Sequence, residues 1–273
     1  SLSFNSVVNL LQRNPPERIR DLVEMSFLSW RRQNQAQRER EEAEQLELQL
    51  QELVQHHSPH RTQRRTQKEI SRRVDRATQM ENQTWHEFQM RVEFLKNYGY
   101  IGDDGAFFAG ARVLTNFQIQ EVFVTELFLL GLFENLTDGE LFGIFCGLVV
   151  ELPRNVYVFR KPNKRAKGIL RDVRMVFISD IVRDSARITQ QQLVWEPLML
   201  SLGEAWVEGK SLTEIQRMFS SPTDISGTLI GAFRRAKDLL SQLRNVWEGV
   251  PDEYEHYSTL MKAVSRDEVE VVA

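Results

Sequence analysis

Apolar residues recur at three- and four-residue steps through most of this chain, and that rhythm predicts helices packed on a core. The clearest case runs from Asp224 to Leu243, where Leu229, Ile230, Phe233, Ala236, Leu239, Leu240 and Leu243 make one stripe. Arg234, Arg235 and Asp238 fall largely outside it. One helix therefore sets two arginines and an acid beside an apolar face. Such a helix is either simply solvated, with an Arg–Asp pair of little weight, or a rigid grip on a nucleic-acid backbone or base.

The first hundred residues carry a thinner pattern. Asn14-Pro15-Pro16-Glu17 predicts a helix start, with Asn14 as cap and proline in the first turn. No proline or glycine follows until after Gln55, so one long helix is expected. Its composition is mostly Gln, Glu, Arg, Ala and Leu, with Leu46, Leu48, Leu50, Leu53 and Val54 as an apolar seam near the end. A helix with so narrow a seam needs a partner. His56-His-Ser-Pro-His60 breaks the chain, and Ile70, Val74, Ala77 and Met80 supply a matching seam on the next helix. The pair predicts an antiparallel coiled-coil stalk. His56, His57 and His60 lack a nearby carboxylate or cysteine to complete a metal site.

Beyond the stalk, Asn97-Tyr-Gly-Tyr-Ile-Gly102 and Asp103-Asp104 predict a turn, and residues 107–113 read as irregular or briefly extended. Residues 117–130 predict an amphipathic helix, and Thr137-Asp-Gly-Glu140 a capping box opening the next one. The rest is helical in period, apart from a linker at about 152–168. The fold expected is all-α: a helical bundle with a protruding antiparallel coiled-coil stalk. Gly203-Glu-Ala-Trp-Val-Glu-Gly-Lys-Ser211 resembles a phosphate loop, but five residues separate its glycines where four are needed. Gly209 instead ends a helix and Ser211 caps another, with Glu214 closing the box.

Composition narrows the chemistry. The 273 residues can form one elongated domain or two compact ones. A net charge of −3 gives no global nucleic-acid signature, so binding must come from local patches. One patch is the linker, with Arg154, Arg160, Lys161, Lys164, Arg165, Lys167, Arg171 and Arg174 against Asp172 alone. The other is the stalk, with Arg61, Arg64, Arg65, Lys68, Arg72, Arg73 and Arg76. Lys164 and Arg165 stand as candidate phosphate contacts. The single Cys146 lies in the apolar run 141–150 and reads as core; with no disulfide possible, the chain suits a reducing, intracellular compartment. That run is too short to span a bilayer, and the stalk's seam too narrow for a membrane surface, so no membrane partner is expected. No DExH, zinc-protease or nucleophile-elbow motif occurs, so no catalytic residue, metal or cofactor is expected within the segment.

Several short segments share an order with one family. Phe4-Asn-Ser-Val-Val-Asn-Leu-Leu11, Ser26-Phe-Leu-Ser-Trp30, Thr125-Glu-Leu127, Gly131-Leu-Phe-Glu-Asn-Leu136, Trp206-Val-Glu-Gly209 and Leu212-Thr-Glu-Ile215 lead to the helix after Gly227. Together they resemble the C-terminal region of DExH-box RNA helicases of the superkiller and exosome-associated class. The resemblance implies the end of a winged helix at residues 1–33, a stalk at 34–84, and a helical DSHCT-like domain at 85–273. It implies motor domains, with their ATP and Mg, preceding residue 1. It implies single-stranded RNA, those motor domains and RNA-decay or processing complexes as partners. It makes the helix after Gly227 a ratchet under RNA moving in a 3′–5′ direction, with Arg235 and Asp238 as its contacts and Arg234 alongside. Two departures stand out. Nothing between Gln55 and Arg64 encodes the family's β-rich arch domain, and Ser226-Gly227-Thr228 and Gly231 replace its acidic turn and a nearby arginine, which predicts a weaker grip. The rival expectation is a non-enzymatic coiled-coil adaptor that binds other proteins.

Overall fold

The computed structural model describes residues 2–159, 161–266 and 269. Among them are thirteen α-helices, one 3-10 turn and a single two-stranded ribbon, so the chain is all-α. It divides into two units: one holds Val7–Phe94, the other Ser3–Ser6 and the chain from Leu95 on.

The first unit is built from most of α1 (Phe4–Arg13), α2 (Pro16–Glu24), α3 (Phe27–Gln55) and most of α4 (His60–Asn97). The uninterrupted helix expected from Asn14 is in fact broken at Met25–Ser26. Ser26 is extended and its hydroxyl accepts from Ser29 N at 3.2 Å, so a capping serine starts α3 without proline or glycine. Asn14 caps nothing ahead of it. Its Nδ2 donates back to Leu10 O at 3.0 Å, and Pro15 holds the cap position of α2.

Helices α3 and α4 pair antiparallel through steps of seven. Ser29, Ala36 and Ala43 are buried on α3, and Ile70, Ala77 and Thr84 on α4. Arginine–glutamate forks bridge them: Arg32 reaches Glu87 at 2.8 Å and Thr84 Oγ1 at 2.9 Å, Arg40 reaches Glu81 at 2.7 Å, and Arg73 reaches Glu39 at 3.0 Å. Leu48 and Val54, expected in the seam, are 61% and 53% exposed because they fall outside the positions that Ala43, Leu46, Leu50 and Leu53 occupy.

In the second unit α5 (Ala109–Leu114) forms where an irregular stretch was expected; Phe107, which bridges Ile101, and Phe108 ahead of the helix are extended. Helix α6 (Glu121–Leu129) starts late because Gln120 is left-handed (φ 45) and its side chain bonds Val194 N and O as well as Leu148 O. It is buried on most sides rather than amphipathic. Glu121 accepts from Phe4 N at 2.8 Å, and Asn5 Nδ2 donates to Thr115 O and Phe117 O.

A 3-10 turn (Leu132–Asn135) leads to α7 (Asp138–Leu148), opened by the expected Thr137–Glu140 capping box. Strand β1 (Tyr157–Val158) follows. Helix α8 (Lys164–Phe177) starts inside the expected linker, since Asn163 Oδ1 accepts from Ala166 N at 2.8 Å and caps it. Then come α9 (Asp180–Thr189) and α10 (Met199–Val207). The latter begins only after Pro197; Glu196 holds a turn ahead of it by accepting from Leu198 N. The chain continues with α11 (Leu212–Gln216) behind its Ser211–Glu214 box, β2 (Phe219–Ser220), α12 (Ser226–Val246) and α13 (Pro251–Val264). Gly209 ends α10 with φ 89. The ribbon joins β1 to β2 antiparallel, in a region expected to be linker and helix.

The core of this unit is the crossing of α7 with α10, covered by α12. A Cβ on Gly143 would fall 2.3 Å from Leu200 O, so the two backbones touch. Cys146 lies fully buried at this crossing, and burial pushes its thiol well above the usual range. Among the described residues no helix is long and apolar enough to cross a membrane.

Candidate nucleic-acid interface

Helix α12 is locked in rotation by its aromatic residue. Phe233 is fully buried, stacked on Trp206 at 4.7 Å and 23°, with Phe142 at 6.1 Å on another side. Trp206 in turn donates Nε1 to Val264 O at 3.0 Å and lies under Arg266 at 3.7 Å. The expected stripe is buried throughout, with Ile230 alone half-buried. Arg234, Arg235 and Asp238 consequently point away from the core and are exposed. Arg235 and Asp238 share a helix side but make no ion pair among the described residues, so both heads are open to a ligand.

The same side of α12 is bare toward its N-terminus. Gly227, Gly231 and Arg235 step by four, and a Cβ on either glycine would meet nothing within 4 Å. Neither glycine is needed for packing or for a positive φ, yet glycine inside a helix costs about 0.5–1 kcal/mol relative to alanine. Gly227 is exposed and Gly231 half-buried, so this side of α12 carries no side chain until Arg235 and Asp238.

The linker candidates separate in the structure. Lys164 opens α8 and is exposed, without an ion pair among the described residues. Arg165 is tied down: its Nε and Nη2 meet Glu140 at 2.6 and 2.7 Å, and Nη2 also reaches Asn135 O. Glu140 is buried, caps α7 through Thr137 N, and is held below its usual carboxylate range chiefly by Arg165. Arg165 thus pins α8 to the start of α7, with Nη1 its remaining free edge. Arg154, Lys161, Lys167, Arg171 and Arg174 are exposed, and Arg160 lies outside the described residues. Arg171 spends its charge on Asp172 at 3.3 Å. On the hairpin, Arg73 and the exposed Arg76 pair with Glu39, whereas Arg61, Arg64, Arg65 and Lys68 are exposed near the turn without an ion pair among the described residues.

Histidines 56, 57 and 60 are exposed at that turn, and no group of three or more His, Cys, Asp or Glu among the described residues gathers for a metal. Tyr157 and Phe159, not among the candidates above, are held out into solvent by the ribbon. Their signal was the alternation Val156-Tyr-Val-Phe159 beside a basic run, a period of two in a chain read for helices.

A helical core wrapped by α12, in one chain with a coiled-coil hairpin, defines an all-α helical domain. Residues 109–271 match the model of the DSHCT (NUC185) domain, and the chain belongs to that family, which is found in the C-terminal region of superkiller-type DExH-box helicases. The match begins at the first residue of α5 and includes α12 whole. No curated protein matches the chain.

Proposed function

We propose that this chain is the C-terminal part of an ATP-dependent RNA helicase and that α12 holds single-stranded RNA as the strand advances 3′ to 5′. The observation that carries this reading is the two-sidedness of α12: one side is fixed by Phe233, and the other presents bare glycine backbone, Arg235 and Asp238. A planar guanidinium can stack on any base or fork onto a phosphate, so the grip needs no sequence readout. The acid beside it can accept from a ribose hydroxyl or a base amino group. Rigidity matters because a ratchet must transmit motor movement to the strand.

ATP and Mg belong to the motor domains in this reading, since the chain has no Walker or DExH sequence of its own. The segment alone is inactive and contributes positioning. Its partners are the motor, RNA and the complexes that feed or receive the strand. Cross-linking of a 4-thiouridine-bearing single strand, mapped by mass spectrometry, tests the placement. Cross-links within α12 around Gly231–Asp238 are expected. Cross-links confined to the hairpin, or none at all, would leave α12 as structure only and favour the adaptor.

A further inference from the structure

The ribbon presents a second surface that α12 does not explain. Tyr157 lies opposite Ser220 and Val158 opposite Phe219, and Phe159 N extends the ladder by donating to Met218 O at 2.9 Å. Val158 and Phe219 pack against the core and anchor the ribbon. Alternation then turns Tyr157 and Phe159 to the other face. At 63% and 65% exposure they are the most exposed aromatic side chains described in this unit. Two residues along a strand places them about 6.6 Å apart, on hydrogen-bonded backbone.

The surroundings of this pair are cationic. Arg154, Lys161 and Lys164 flank β1, and Arg217 precedes β2; all four are exposed and none makes an ion pair among the described residues. The nearby acids are fewer and held by neutral donors: Glu151 accepts from Gln192, Asp224 from Ser226, and Glu214, which feels the charge of Arg217, from Ser211. Exposed aromatic faces attract any apolar surface, but the unpaired cations select a polyanion. A ligand with both flat π faces and regularly spaced negative charge is a single-stranded nucleic acid.

We propose that Tyr157 and Phe159 form a base-stacking platform for single-stranded RNA, with Arg154, Lys161, Lys164 and Arg217 on its phosphates. This rests on the reading that the chain contacts RNA, but it assigns a separate site on different elements. The ribbon leads into α12 within six residues, and Gln216 bonds Ser226 at the helix start, so one strand can engage both.

The test compares a labelled single-stranded RNA with an abasic strand of equal length and charge, by fluorescence anisotropy. The proteins are the wild-type chain, the double variant Tyr157→Ala/Phe159→Ala, Tyr157→Trp, and Arg235→Ala. The double alanine variant should lose about tenfold or more in affinity for RNA and nothing for the abasic strand. Tyr157→Trp should keep wild-type affinity. Wild-type binding by the double variant, equal losses on both strands, or no binding by the wild-type chain would each overturn the platform. Arg235→Ala reports on α12 independently: if it alone binds normally, the helix reading fails and the platform stands.

Discussion

Gly143 on α7 and Gly203 on α10 meet backbone to backbone: a Cβ on Gly203 would lie 2.4 Å from Gly143 Cα. No rotamer change relieves such a clash, because the obstructing atoms are main chain. Gly203→Ala should therefore force the helices apart and destabilise the unit by about 1–3 kcal/mol or more. Thermal unfolding of the variant against wild type checks this, and an unchanged melting temperature would refute the crossing.

Gly231 sets stability against function. Its Cβ position is empty, so Gly231→Ala should stabilise α12 by about 0.5–1 kcal/mol. If the bare backbone is an RNA track, the same change should weaken RNA binding. Urea unfolding and anisotropy on one preparation decide both points, and a gain in both stability and affinity would remove the reason for the glycine.

The Glu140–Arg165 pair makes stability acid-sensitive. Glu140 is held below its usual 4.5, chiefly by Arg165, so its contribution is complete above that value and is lost as pH falls through the lower folded pKa. Denaturant midpoints should drop between neutral pH and pH values under about 4.5. In Arg165→Gln the midpoint should be lower at neutral pH, and this part of the acid loss should shrink. Parallel acid sensitivity in both proteins would assign it elsewhere.

Trp206 stacks on Phe233 of α12, bonds Val264 O at the end of α13 and lies under Arg266. Truncation to alanine should cost about 3–5 kcal/mol, typical of a fully buried aromatic. Because Phe233 then loses its stacking partner, Arg235-dependent RNA affinity should fall as well. Retained affinity in a folded but destabilised protein would show that α12 needs no such brace.

Much of this architecture was legible where a single local signal suffices. The stripe from Leu229 to Leu243 specified α12 almost to its ends, and two Ser/Thr–Glu boxes marked the starts of α7 and α11. The breaks that were missed depend on side chains acting at a distance or on ambiguous residues. Ser26 can sit in a helix or cap one, and only its bond to Ser29 decides. Gln120 starts α6 late through contacts with Leu148 and Val194 that no neighbour in sequence announces. Leu48 and Val54 were apolar but off the seven-residue register. The candidate arginines show the same limit: their chemistry was plain in sequence, but Arg165 meets Glu140 only after folding, while Arg235 is left open by it.

The central claim is that Arg235 grips RNA, and the salt dependence of binding tests it most directly. Anisotropy titrations of single-stranded RNA across a salt series should give linear plots of log affinity against log salt for wild type and Arg235→Ala. The variant is expected to bind more weakly at every salt concentration, with a slope shallower by about one. Superimposable lines for the two proteins would contradict the claim and return Arg235 to an ordinary solvated position on α12.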